Sequence, residues 1–218
     1  MKKPFVSALA LLLAFAVWTV LVGLVDLQSI GPNGSYVGFA TVNALFHRLT
    51  GTHMTLYTIT DWLGLVPVAV GLGFALLGLV QWIGRKNPLK ADPDLLLLGG
   101  FYLVTLAAYL LFESVVINYR PVLINGYLEA SYPSSTTLLV LCVMPTAQWQ
   151  FQSRIKRARL RRGVNTLIGL FIVFMVIGRL LSGVHWLTDI IGGILLSAGL
   201  VRLYIALCEG LQTKTPKP

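Results

Sequence analysis

Charge is what this sequence has least of: 11% of its 218 residues are charged, against about 25% in a typical soluble domain. With 56% hydrophobic residues, gathered in long runs, this scarcity excludes an ordinary soluble domain and defines a membrane protein. Acidic residues are the rarer sign, eight against seventeen basic ones, for a net charge of +9. That balance does not indicate nucleic acid, because the cations fall in short stretches between apolar runs, as topology signals do. The two cysteines, Cys142 and Cys208, lie within apolar runs and form no disulfide framework. No cluster of His and Cys suggests a metal site.

The runs predict six spans, roughly 4–26, 62–84, 94–118, 136–152, 164–181 and 186–207, each near the ~20 residues a bilayer requires. The expected fold is an all-α, polytopic membrane helical bundle with six transmembrane helices, a single membrane domain over residues 1–218. The first run carries no charge from Pro4 to Val25 and no A-x-A-like cleavage site beyond it, so it reads as a retained span rather than a signal peptide. Between the first two spans, Asp26 to Asp61 is polar and Gly-rich. Phe39, Val42, Leu45 and Phe46 share a helical face there, which predicts a segment lying along the membrane surface. His47 and His53 read as surface or interfacial residues, with His53 a further candidate for a replacement acid.

With the N-terminus inside, the inner segments hold Lys2, Lys3, Arg85, Lys86, Lys90, Arg154, Lys156, Arg157, Arg159, Arg161, Arg162, Arg202, Lys214 and Lys217. The outer segments hold only Arg48, Arg120 and Arg179. Fourteen against three predicts cytoplasmic termini and a multi-pass protein of the cell membrane. The basic run Ser153–Arg162 then fixes an inner loop.

Three outer segments carry polar groups that are costly beside lipid: Tyr119-Arg120-Pro121, Tyr132 to Thr137, and Arg179 to Asp189. All three fall on one face. His185 and Asp189 are four apart, one helical turn, so the carboxylate can hold one ring nitrogen and leave the other free to attack. The start of the sixth span offers unpaired N–H groups to an anion, and arginine forks suit phosphoryl oxygens.

Three blocks in this order resemble those of the type 2 phosphatidic acid phosphatase superfamily, which also includes vanadium haloperoxidases. The family blocks are Lys-x6-Arg-Pro, Pro-Ser-Gly-His and Ser-Arg-x5-His-x3-Asp. Arg120-Pro121 matches the end of the first, Pro133-Ser134 the start of the second, and Arg179-x5-His185-x3-Asp189 the third with Gly178 before it. The resemblance covers about residues 94–207. It implies a helical bundle with a catalytic core there, releasing phosphate from a lipid phosphate or polyprenyl pyrophosphate on the extracytoplasmic face. By the same resemblance His185 forms a phosphohistidine, Asp189 orients it, Arg120 and Arg179 bind phosphate oxygens, and Ser134 with the Ser135 amide adds hydrogen bonds. The histidine mechanism needs no metal and no cofactor. The expected partners are the lipid substrate and membrane lipids, not nucleic acid.

Two departures bear on this expectation. Glu113 stands where the family has its block-one Lys, and Thr136 where it has the block-two His, the usual general acid. Three readings follow. A pyrophosphate leaving group needs little protonation; or Glu113 serves as an auxiliary acid, against the alternative that it merely pairs with Arg120 or Arg179. Otherwise the chain is a catalytically impaired homologue that binds or transports lipid phosphates. Glu129 reads as solvated or as a gate to the pocket, and Gly192, Gly193 and Gly199 as sites of close helix packing.

Overall fold

A backbone in hydrocarbon must satisfy its own hydrogen bonds, so long apolar runs fold as helices. The computed structural model describes residues 2–87 and 90–214; Lys217, one of the cations counted above, lies outside them. The helices are α1 (Lys2–Leu24), α2 (Ala40–Thr50), α3 (Met54–Leu63), α4 (Leu65–Arg85), α5 (Pro93–Ser114), α6 (Ser135–Arg154), α7 (Ala158–Leu181) and α8 (Leu187–Lys214). Among the described residues there is no strand, only isolated bridges such as Tyr119 with Ala130. The all-helical membrane bundle expected from the sequence is thus the observed fold.

Among the described residues, five helical stretches are long and apolar enough to cross a bilayer: α1, Met54–Arg85 (α3 running into α4), α5, α7 and α8. The sixth expected span is α6, whose 20 residues reach about 30 Å at 1.5 Å per residue. Its lower apolarity has a structural reason. Thr137, Thr146 and Gln150 of α6 are buried inside the bundle, facing protein rather than lipid. α6 packs against α4, α5, α7 and α8, and α8 in turn lies along α1. In α8, 56% of the apolar window is buried, against 11% for Met54–Arg85, so α8 is an inner helix and α3–α4 a lipid-facing one.

Several span boundaries differ from expectation; the fifth begins at Ala158 rather than 164 and the sixth runs past 207 to Lys214, and two more differences bear on the site. The second begins at Met54 rather than near residue 62, because α3 continues into α4 through Gly64, whose N–H donates to Thr60 and Asp61 carbonyls at 3.0 Å each. The third stops at Ser114, where the chain turns extended to carry Asn118 and Arg120 into the bundle. The segment between α1 and α3 is not simply laid on the membrane. Val42 and Leu45 of α2 are exposed, yet Phe39 stacks on Trp18 at 5.1 Å and Asn43 is buried against α8.

The two ends of the bundle are both polar and differ in kind. At one end Arg154 pairs with Asp92 (3.5 Å) and Asp94 (3.0 Å), and Arg85 with Asp92 (2.9 Å). Gln150 of the same network donates to the Tyr204 hydroxyl at 2.5 Å, so α4, α5, α6 and α8 are tied together there. The opposite end collects the C-termini of α5 and α7, the N-termini of α6 and α8, and the α2–α3 segment.

Candidate functional site

The α7–α8 connection is short and tightly specified. Ser182 closes α7, its hydroxyl donating to the Arg179 carbonyl at 2.7 Å. Gly183 follows at φ +67°, and a Cβ there would fall 1.9 Å from the Gly51 carbonyl oxygen, so only glycine fits. The α2–α3 turn clasps this loop from outside: His47 Nε2 donates to the Gly183 carbonyl at 3.1 Å and His53 N–H to the Ser182 carbonyl at 2.9 Å. Asn43 completes the clasp, donating through Nδ2 to Thr188 Oγ1 at 3.0 Å and accepting from Thr188 N–H at 3.3 Å.

His185, buried at 3% exposure, has a defined tautomer. Nδ1 lies 3.2 Å from the Ser131 carbonyl, which can only accept, so Nδ1 carries the proton. Nε2 lies 3.4 Å from Arg120 Nη1, which can only donate, so Nε2 presents its lone pair to the guanidinium. Burial, and then the charges of Arg120 and Arg179, hold the imidazole pKa well below its usual 6.5, with the Ser131 bond opposing. The ring is neutral and keeps a lone pair beside two cations.

Asp189 is fully buried in the first turn of α8. Oδ2 accepts from Trp186 N–H at 2.9 Å, the reach-back bond that starts a helix, and Oδ1 accepts from Asn118 Nδ2 at 3.3 Å. Oδ2 stands 3.8 Å from His185 Nδ1, within ion-pairing range but too far for a hydrogen bond. The direct partner of the ring is Ser131, and Asp189 fixes the turn from which the ring projects.

A short hairpin delivers the first arginine. Arg120 N–H donates to the Glu129 carbonyl at 3.0 Å and Ser131 N–H to the Asn118 carbonyl at 2.9 Å, so alternation sends the Arg120 side chain inward. Its Nε lies 3.0 Å from Glu129 Oε2, an ion pair not aligned as a hydrogen bond. Arg179, 1% exposed, stacks over the Tyr57 ring at 4.8 Å. Its Nη1 reaches Thr60 Oγ1 at 3.4 Å and Asp61 Oδ1 at 3.6 Å, while its buried Nε makes no hydrogen bond. Gly178, which precedes it, lets α3 approach: a Cβ there would meet the Thr60 methyl at 2.8 Å.

The other expected residues divide. Ser134 is wholly buried and caps α6, its Oγ accepting from Thr137 N–H at 3.5 Å and Thr137 Oγ1 at 3.0 Å. Its own N–H is taken by the Asp189 carbonyl at 3.1 Å. Ser135 and Glu113 line a slot with His185, Tyr109, Phe112 and the 130–133 turn, about 10 Å³ in volume, the room of about one water. Thr136 is not among the slot's walls; its methyl packs at the α3–α4 junction, 3.7 Å from where a Gly64 Cβ would stand. Glu113 pairs with neither arginine; Glu129 and Asp61 do. Residues not singled out from sequence are Asn118, Ser131, Tyr57 and Asp61. Asn118 was detectable in principle from its period-two spacing with Arg120, whereas Ser131 acts through its backbone carbonyl and Tyr57 and Asp61 reach Arg179 across more than a hundred residues.

A neutral histidine whose lone pair faces one buried guanidinium, near a second, lies at one end of a polytopic helical membrane bundle, an arrangement that can hold an anion against the ring. The PAP2 superfamily model matches residues 35–211, and the chain belongs to that superfamily. The fold is similar to that of a transmembrane PAP2-type phosphatidylglycerolphosphate phosphatase from Bacillus subtilis, at 21% identity and a TM-score of 0.54, over 96% of this chain and 98% of that one. No curated protein matches the sequence significantly.

Proposed function

We propose that this protein is a phosphatase of membrane lipid phosphates, with His185 as nucleophile. The observation that carries the reading is the tautomer: Nδ1–H is held by Ser131 and the Nε2 lone pair faces Arg120 at 3.4 Å. A phosphoryl group between the arginines would meet that lone pair directly. Nε2 attacks phosphorus, the lipid oxygen departs, and water then cleaves the phosphohistidine. Arg120 and Arg179 neutralise the phosphoryl oxygens, and the unpaired Nε–H of Arg179 is a donor an anion can use. Asp189 holds the start of α8, and the Ser135 side of the α6 N-terminus adds donors. Ser134 supports the site as a cap.

The substrate is a lipid phosphate or a polyprenyl pyrophosphate, approached from the bilayer along α5. The fourteen-to-three distribution of cations supports cytoplasmic termini and an extracytoplasmic site in the cell membrane. The packing of α1 along α8 supports one membrane domain over 1–218, with its core at about 94–207. Phosphate release from phosphatidate and polyprenyl pyrophosphate by the purified protein and by His185→Ala tests the reading. Release is expected from the first and not from the second. Equal release from both would sink it, and lipid binding or redistribution between leaflets without phosphate would favour a non-catalytic carrier.

A further inference from the structure

We propose that Glu113 is the proton-transferring catalytic residue: general acid for the departing lipid oxygen, then general base for the hydrolytic water. The inference rests on the phosphatase reading above and assigns it the group it lacks. An alkoxide is a poor leaving group, so P–O cleavage in a lipid monoester needs a proton at the bridging oxygen. The arginines cannot give one, since a guanidinium stays protonated. His185 commits its lone pair to phosphorus. Asp189 is enclosed, its oxygens engaged by Trp186 N–H and Asn118. Glu129 and Asp61 are ion-paired to Arg120 and Arg179. The Tyr132 hydroxyl is bonded to Thr19 at 2.7 Å.

Among the carboxyls beside the site Glu113 remains, and its position suits the task. It forms the α5 wall of the slot that His185 also lines, and among the described residues it makes no hydrogen bond or ion pair. Tyr109, one turn before it, lines the same slot and is 39% exposed on the outer face of α5, so the slot opens towards lipid. The leaving group of a lipid phosphate is the lipid itself, which must point to the bilayer while phosphorus faces His185. The bridging oxygen therefore passes the α5 wall, where Glu113 is the carboxyl.

In the first step Nε2 bonds to phosphorus as the P–O bond breaks, and the Glu113 carboxylic acid gives its proton to that oxygen, so a neutral alcohol leaves. In the second, the Glu113 carboxylate takes a proton from water as its oxygen bonds to phosphorus. The P–N bond breaks, its electron pair returns to Nε2, and Glu113 is again an acid.

The test compares wild type, Glu113→Gln and His185→Ala, as full chains in detergent micelles, on an alkyl lipid phosphate and on an aryl phosphate whose phenolate leaves readily. Glu113→Gln should lower kcat/KM about 10²–10⁴-fold on the alkyl ester and less than ~10-fold on the aryl ester. It should also show a burst of aryl alcohol with phosphoenzyme accumulating, because the second step still needs its base. An equal change in kcat/KM on both esters, or none on either, overturns the assignment to Glu113. Turnover of both esters by His185→Ala overturns the underlying phosphatase reading, and this proposal with it.

Discussion

His185 is the residue on which burial and charge act most directly. Its pKa is depressed by burial and by Arg120 and Arg179, so the folded protein holds the ring neutral where an unfolded chain would begin to protonate it. The sign follows: the contribution is present above pH ~6.5, the unfolded value, and is lost as pH falls below it. Ring resonances of His185 followed by NMR should show a midpoint below pH 6.5, and Arg120→Ala should move it up. A midpoint at or above 6.5 in the wild type would contradict the assignment. At the same scale, the Arg–Arg–His–Asp constellation was legible because its members are few, charged and correctly spaced. The ring's partner was not, since Ser131 acts through a backbone carbonyl, and no side-chain identity encodes that bond.

Helices were legible from apolar runs, and the junctions between them much less so. The continuation of α3 into α4 hides behind polar residues such as Thr60 and Asp61, which meet Arg179 of α7 rather than ending the helix. The α2 segment held more than its apolar face announced: Val42 and Leu45 are exposed on that face, while its buried Asn43 grips Thr188, 145 positions away. Such pairings leave no local pattern. The same clasp makes a sharp prediction at Gly183. Alanine there meets the left-handed φ, a cost of roughly 1–2 kcal/mol, and the Gly51 carbonyl at 1.9 Å, so the loop must move. Displacement of the nucleophile by about 1 Å can cost ~10²-fold. Gly183→Ala should therefore insert and remain helical by circular dichroism while phosphate release falls at least ~10-fold; unchanged release would show that the clasp does not position His185.

Across the whole molecule, the reactive end and the ion-paired end are separated by the length of the bundle, and their duties should separate too. Arg154 binds Asp92 and Asp94 and donates to Gln150, but its partners are about a third exposed, where ion pairs contribute about 0–1 kcal/mol each. Arg154→Ala should lower the thermal midpoint in detergent by a few degrees, with kcat/KM within about twofold of wild type; a large loss of turnover would mean the two ends are coupled. The pairing of α1 with α8 carries a consequence for how the molecule is made. Gly199 of α8 lies so close to α1 that a Cβ would meet Leu12 at 2.7 Å, and Trp18 of α1 donates to the Thr188 carbonyl at 3.2 Å. During synthesis α1 can meet Phe39 and Phe112 early, but the part of its face that Gly199 and Thr188 cover stays open until α8 arrives. Until that late arrival Asp189 is absent and the turn carrying His185 has no helix to anchor it, so a chain halted after α7 is a substrate for quality control rather than a slow enzyme.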